Sequence, residues 1–152
     1  MTTTTALPAT STAATEPTAA PFSGKSQSGV LGATRVVVSF LFLCHGLVGL
    51  FGAWGGIDTM GGSVELFSWP GWWGSMIHLV AGAFVLAGFF TRTAALLCSG
   101  SMAYAYFAVH QPLALLPLPN GGEPAALFAW IFLLIGVAGP GAFALDALRR
   151  RR

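Results

Sequence analysis

The sequence predicts an all-α integral membrane protein, a four-helix bundle with both termini in the cytoplasm. The chain of 152 residues is 55% hydrophobic and 8% charged, with a mean hydropathy of +0.73, whereas soluble domains carry about a quarter charged residues. Four intervals without a charge, residues 36–57, 66–91, 93–122 and 124–145, are 22, 26, 30 and 22 residues long. Each exceeds the roughly 18–20 apolar residues that cross a bilayer. This composition excludes a soluble fold, a nucleic-acid-binding protein and a disulfide-stapled secreted domain.

The basic residues predict the orientation of the helices. Lys25 and Arg35 precede the first apolar interval, Arg92 separates the second from the third, and residues 149–152 are four arginines. All of them fall on one side of a four-pass path, which is the cytoplasmic side because basic residues stay there. The tryptophans, which anchor helices at membrane interfaces, are all expected in the outer half: Trp54, Trp69, Trp72, Trp73 and Trp130.

The helices follow from the apolar intervals and the residues that bound them. Residues 1–29, rich in Thr, Ala, Ser and Pro, are predicted to be a disordered cytoplasmic tail because they bury too little apolar surface. The bundle is expected over residues 30–148, and residues 149–152 form a basic cytoplasmic end. The four helices are predicted at about 32–54, 70–90, 93–111 and 124–146.

Proline and glycine mark both ends of the fourth helix. Pro124 suits the first helical position, where its missing N–H is not needed, so Glu123 is the predicted N-cap. Near the other end, Gly139, Pro140 and Gly141 are expected to kink or interrupt the helix.

Two histidines are predicted at a similar depth inside the membrane. At a rise of about 1.5 Å per residue, His45 lies ~15 Å from Arg35 and His78 lies ~12 Å below the outer surface. Gly49 and Gly82 share their helix faces, which favours close packing against another helix. The pair serves either as a hydrogen-bonded structural lock, as a contact for a quinone head group, or as a haem or metal site. The haem or metal interpretation is disfavoured because no third ligand or carboxylate lies at that depth.

The third helix carries a polar stripe at helical spacing, formed by Ser99, Ala103, Tyr106 and His110. His110 is expected at the outer rim beside Glu123, where the positive end of the fourth helix dipole favours an ionised carboxylate that pairs with an imidazolium. This pole is either an ordinary helix cap and loop anchor or a site that binds a ligand or partner.

Cys44 and Cys98 lie inside apolar intervals and have no neighbouring Cys or His at metal-ligand spacing. We expect them to serve as small hydrophobic residues, and the sequence predicts no metal site.

Seven short segments occur in a characteristic order: FLCHG at 42–46, WPGW at 69–72, AGFFTR at 87–92, MAYAY at 102–106, NGGE at 120–123, GPG at 139–141 and LD at 145–146. With these segments, residues 32–147 resemble the DoxX family of small four-helix membrane proteins. The chain differs from many members because it has Val48-Gly49-Leu50 where they carry a Lys, and His78 near the position of a Glu.

The resemblance implies a protein of the bacterial inner membrane with a link to redox chemistry. The expected function is that of an auxiliary or structural subunit of a redox or respiratory assembly, without catalytic activity of its own. The alternatives are a quinone-linked oxidoreductase subunit and a small-molecule transporter. Quinone is the candidate ligand, haem is disfavoured, and no covalently bound cofactor is expected. Expected partners are the lipid bilayer and other membrane subunits or a second copy, and not a nucleic acid. The residues proposed to contact a ligand are His45, His78, Tyr106, His110 and Glu123.

Overall fold

The computed structural model describes residues 24–57 and 62–149, which form an all-α chain without a strand in either range. Its helices are α1 (Gly24–Phe51), α2 (Gly71–Ala87), α3 (Thr91–Ala105), α4 (Glu123–Ala138) and the short α5 (Asp146–Arg149). A 3₁₀ turn at Ala53–Gly55 follows α1, and a π-helical turn at Tyr106–His110 continues α3. The all-α prediction is confirmed.

The helices pack in chain order. α1 lies along α2, α2 along α3 and α3 along α4, whereas α1 and α4 meet at few points. Within the described ranges, α1 is the one helix long and apolar enough to span a bilayer, with a hydropathy of 1.8 over its most apolar window. α2 and α4 are apolar but shorter. We name the two ends of the helices by their connections. Residues 88–90 and 139–145 lie at the short-turn end, and residues 52–57, 62–70 and 111–122 lie at the long-loop end.

The first helix begins earlier than the sequence predicts. Residues 24–29 are helical, although the composition of the tail predicted disorder there. Part of the reason is a tertiary contact, because Ala142 N donates a hydrogen bond of 2.9 Å to Ser28 O. The rest of the predicted tail, residues 1–23, lies outside the described residues.

The fourth helix ends earlier than predicted, at Ala138 instead of residue 146. Gly139 adopts a φ of 102°, which a helix does not accommodate, and Pro140 then lacks the N–H that the next helical hydrogen bond needs. The following segment, 139–145, turns back across the short-turn end.

Arg35 holds the short-turn end together. Its side chain is fully buried, with 0% exposure. The guanidinium donates to five main-chain carbonyls: Nε to Pro140 O (2.9 Å), Nη1 to Val85 O (2.7 Å) and Leu86 O (2.5 Å), and Nη2 to Ala142 O (3.3 Å) and Phe143 O (3.1 Å). Carbonyls at a helix C-terminus have no partner within their own helix, so Arg35 supplies one. The sequence analysis treated Arg35 as a surface charge, and the structure corrects this.

Asp146 also lies at the short-turn end. It caps the N-terminus of α3, although it is far from α3 in the sequence. Its Oδ2 accepts hydrogen bonds from Thr91 N (2.9 Å) and Thr91 Oγ1 (2.8 Å), and its Oδ1 accepts one from Phe90 N (3.0 Å). A carboxylate at a helix N-terminus also interacts favourably with the helix dipole. We call Arg35, Thr91 and Asp146, with the carbonyls they bind, the clasp.

Close approach of α1 and α2 depends on glycine. A Cβ added at Gly46 would lie 2.9 Å from Leu79 N and 3.1 Å from Ser75 O, both main-chain atoms. A Cβ at Gly49 would overlap the hydroxyl of Ser75. The two glycines are therefore the points at which the helix backbones come closest.

Candidate ligand-binding site

All three histidines of the chain line one cavity of about 220 Å³ at the long-loop end. His45 comes from α1, His78 from α2 and His110 from the π-helical turn. The other lining residues come mainly from the start of α4: Met102, Gly121, Pro124, Ala125 and Phe128. The cavity lies where α1 and α4 diverge, and we call it the histidine cavity.

Phe128 provides the aromatic floor of the histidine cavity, and the fully buried ring of Phe42 packs behind it. The rings of Phe42 and His78 have centroids 4.3 Å apart, and His45 meets the edge of Phe128 at 5.5 Å. Phe42 and Phe128 contact each other at 5.4 Å. These contacts orient both imidazoles through packing and leave their nitrogens available for hydrogen bonds.

The imidazoles of His45 and His78 have no hydrogen-bond partner among the described residues. His45 is exposed and His78 is partly exposed at the surface of the described chain. The direct hydrogen bond between them, one of the three interpretations of the sequence, is therefore absent from the part of the chain that the structure describes. The two rings share a cavity instead.

The π-helical turn explains how His110 reaches this cavity. Gln111 N bonds to Tyr106 O at 2.8 Å, five residues back, which inserts an extra residue into the turn. The polar stripe predicted along α3 is divided at this point. Ser99, Ala103 and Tyr106 line a separate cavity of about 390 Å³ between α3 and α4. His110 instead turns toward His45 and His78.

Glu123 does not take the role that the sequence predicts. It is the first residue of α4, with Gly122 at the N-cap position, and its side chain is exposed. No ion pair joins it to His110 within residues 24–57 and 62–149, because His110 Nδ1 lies 3.1 Å from Asn120 O. The prediction failed because the tight turn before α4 places the carbonyl of Asn120, and not the carboxylate of Glu123, beside the imidazole of His110.

The loop before α4 is fixed by Asn120, a residue that the sequence analysis did not single out. It is almost fully buried, its Nδ2 donates to Ala114 O at 2.9 Å, and its Oδ1 accepts from Gly122 N at 2.7 Å. The Asn-Gly-Gly tripeptide was the available signal, since Asn side chains commonly bond the backbone two residues on in turns. Asn120 thus positions the partner of His110.

A double-mutant cycle tests the shared cavity. We expect His45→Leu and His78→Leu to be non-additive in detergent unfolding, with a coupling of about 0.5–1 kcal/mol, because they change one cavity. The control pairs His45→Leu with Tyr104→Phe, whose hydroxyl bonds Trp69 on another face, and should be additive. Additivity in both pairs would show that the two imidazoles do not influence each other.

Comparison with known proteins gives matches over most of the chain. A family model described as DoxX matches residues 30–111, which include all three histidines. An uncharacterized protein of Haemophilus influenzae is 34% identical over 119 residues, or 74% of this chain and 84% of that protein. The inner membrane protein YqjF of Escherichia coli is 31% identical over 136 residues, or 82% of this chain and 94% of that protein. No solved structure matches the chain.

Proposed function

Since the chain belongs to the DoxX family and is a bacterial inner-membrane protein, we propose that it binds a quinone head group in the histidine cavity. The observation that carries this proposal is the convergence of all three histidines on one small cavity with an aromatic floor. Its volume of about 220 Å³ is below the roughly 300–1,000 Å³ of sites for drug-sized ligands, which suits a single ring.

The chemistry of the cavity matches that of a quinone ring. A quinone presents two carbonyl oxygens at opposite edges, and these accept hydrogen bonds from imidazole N–H groups such as those of His45 and His78. The ring faces are flat and pack against aromatic side chains, and Phe128 provides such a side chain in the lining of the cavity. In this role the chain contributes a binding site to a redox assembly, and a partner subunit supplies the electrons.

A purely structural role in such an assembly is the second candidate. The loop between the π-helical turn and α4 presents four leucines with exposures of 62–78%: Leu113, Leu115, Leu116 and Leu118. A cluster of exposed apolar side chains on a loop is typical of a surface that contacts another protein or the membrane interface. No feature of the described residues specifically favours the transporter alternative.

Purification in a gentle detergent separates the two candidates. We expect the wild-type protein to retain near-stoichiometric quinone, measured by solvent extraction and mass spectrometry, and the His45→Leu/His78→Leu variant to lose it. The Gly100→Leu variant is the control and should retain the quinone, because Gly100 lines neither the histidine cavity nor any other cavity described here and an added Cβ meets nothing within 4 Å. Migration with a large complex in the absence of quinone would favour the structural role and contradict quinone binding.

We further propose that the chain crosses the membrane four times with both termini inside. The segregation of the basic residues supports this orientation, although the buried Arg35 no longer counts as a surface charge. Single cysteines tested with an impermeant thiol reagent should react from the cytoplasm at Lys25→Cys and Arg92→Cys. Those at Ser63→Cys and Leu118→Cys should react from the outside, in a background where Cys44 and Cys98 are alanine. Labelling of Arg92→Cys from the outside would contradict the orientation.

A further inference from the structure

A long apolar groove runs between α2 and α3. Its part near the long-loop end has a volume of about 510 Å³, and its part near the short-turn end has a volume of about 520 Å³. Trp73 and Ile77 line both parts, so the two form one continuous surface, which we call the α2–α3 groove. α2 has 17 residues, so the groove follows a helix about 26 Å long.

Four of the polar side chains that line the α2–α3 groove have hydrogen bonds within the chain. Ser75 Oγ donates to Gly71 O at 2.9 Å, and Ser101 Oγ donates to Cys98 O at 2.9 Å. The Tyr104 hydroxyl accepts from Trp69 Nε1 at 2.9 Å. The His78 imidazole, the Trp73 indole and the Thr93 hydroxyl have no hydrogen-bond partner among the described residues, and His78 is the one imidazole in the described lining of the groove.

His78 lies between the groove and the histidine cavity. His78 and Met102 line both spaces, so they form the wall between them. No Lys or Arg is among the described residues that line either part of the groove. A phospholipid head group, whose phosphate is recognised by basic side chains, therefore finds no counter-charge here.

We infer that the α2–α3 groove holds the tail of a quinone whose head group reaches His78 from the hydrocarbon side of the membrane. This inference rests on the proposed function and deepens it, since it specifies a quinone with a long apolar tail and lateral entry between α2 and α3. The apolar lining suits an alkyl or isoprenoid chain, and the single available imidazole at the wall suits a neutral carbonyl head group.

Gly74 allows the groove to be blocked without disturbing the fold. It lines the groove, and a Cβ added there meets no atom within 4 Å. Gly74→Phe therefore places a ring in the space that the tail needs. Gly100 on α3 is the matched control, because its added Cβ also meets nothing within 4 Å and it lines none of the cavities described above. Val80→Trp blocks the other part of the groove and serves if Gly74→Phe does not fold.

The test measures the binding of two quinones to the full chain in lipid nanodiscs. The probes are 2,3-dimethoxy-5-methyl-1,4-benzoquinone and its 6-decyl derivative, and the concentration of each is expressed per lipid molecule. Binding is measured as quenching of tryptophan fluorescence, after subtraction of the signal from empty nanodiscs. We expect the decyl quinone to bind about tenfold more tightly than the tail-less one, a modest factor because lipid tails compete for the groove. Gly74→Phe should remove that advantage without weakening the tail-less quinone, and Gly100→Phe should leave both affinities unchanged.

The possible failures are distinguishable. Equal affinities for the two quinones, with no effect of Gly74→Phe or Val80→Trp, would overturn the inference about the groove. The proposed function would stand in that case if His78→Leu weakened both quinones. The absence of binding of either quinone to the wild-type chain would overturn the proposed function and the inference together.

Discussion

The Arg35→Met variant is expected to lose about 3–5 kcal/mol of stability, because a buried carbonyl left without a donor costs about 1–3 kcal/mol and the substitution affects several of them. Methionine fills a similar volume but donates no hydrogen bond. The substitution removes the Arg35 donor from five main-chain carbonyls, at the end of α2 and in residues 140–143, of which Val85 O keeps a hydrogen bond of 3.0 Å from Gly88 N. Thermal unfolding in detergent, followed by circular dichroism, measures the change.

Two further substitutions define what the guanidinium contributes. Arg35→Lys keeps the charge but replaces a planar fork of five N–H groups by a single ammonium, so its stability should lie between those of wild type and Arg35→Met. Arg92→Met makes the same substitution at an arginine whose side chain is exposed, and it should change the free energy of unfolding by less than about 0.5 kcal/mol. If the Arg35→Met variant and the wild type have the same melting temperature, the clasp does not stabilise the fold.

The Gly46→Leu variant is expected to lose about 3 kcal/mol, at the upper end of the effect of overpacking. The added side chain meets the main chain of α2 at Leu79 and Ser75, which has no rotamer to adopt in response. Because the His78 Cβ lies 3.2 Å from the added Cβ, the displaced helix also moves an imidazole of the histidine cavity. We therefore expect quinone retention to fall together with the melting temperature.

Gly29→Leu is the control on the same helix. A Cβ at Gly29 meets nothing within 4 Å, so this variant should be neutral or gain up to about 1 kcal/mol from helix propensity. Similar losses for Gly46→Leu and Gly29→Leu would mean that helix propensity, and not the close approach of α1 and α2, determines the result.

The sequence predicts the helical content well because the signal is local. Charge-free intervals and the residues that bound them depend on neighbours within a few turns, and four of the observed helices fall within or across those intervals. The role of Arg35 was not predictable in this way. Its acceptors lie 50 to 108 residues further along the chain, and nothing near Arg35 distinguishes a buried arginine from one at the membrane surface.

The candidate site was predictable in part for the same reason. Counting the helix rise placed His45 and His78 at one depth, and the structure has both in one cavity. The count does not hold for His110, because the π-helical turn adds a residue after Tyr106 and changes the face on which later residues lie. Glu123 was misplaced because a buried Asn120 determines the path of the loop before it.

The clasp also determines when the protein can be completed during synthesis. A chain emerges from the ribosome with its N-terminus first. Three of the five carbonyls that accept from Arg35, those of Pro140, Ala142 and Phe143, are made more than 100 residues after it. Until residues 140–143 emerge, the Arg35 guanidinium lacks three of its five acceptors, and burying a charged group without partners is costly. Asp146, the cap of α3, is made later still. A chain that stops before residue 140 therefore lacks three of the five acceptors of Arg35, and the clasp can form only after residues 140–146 have been made.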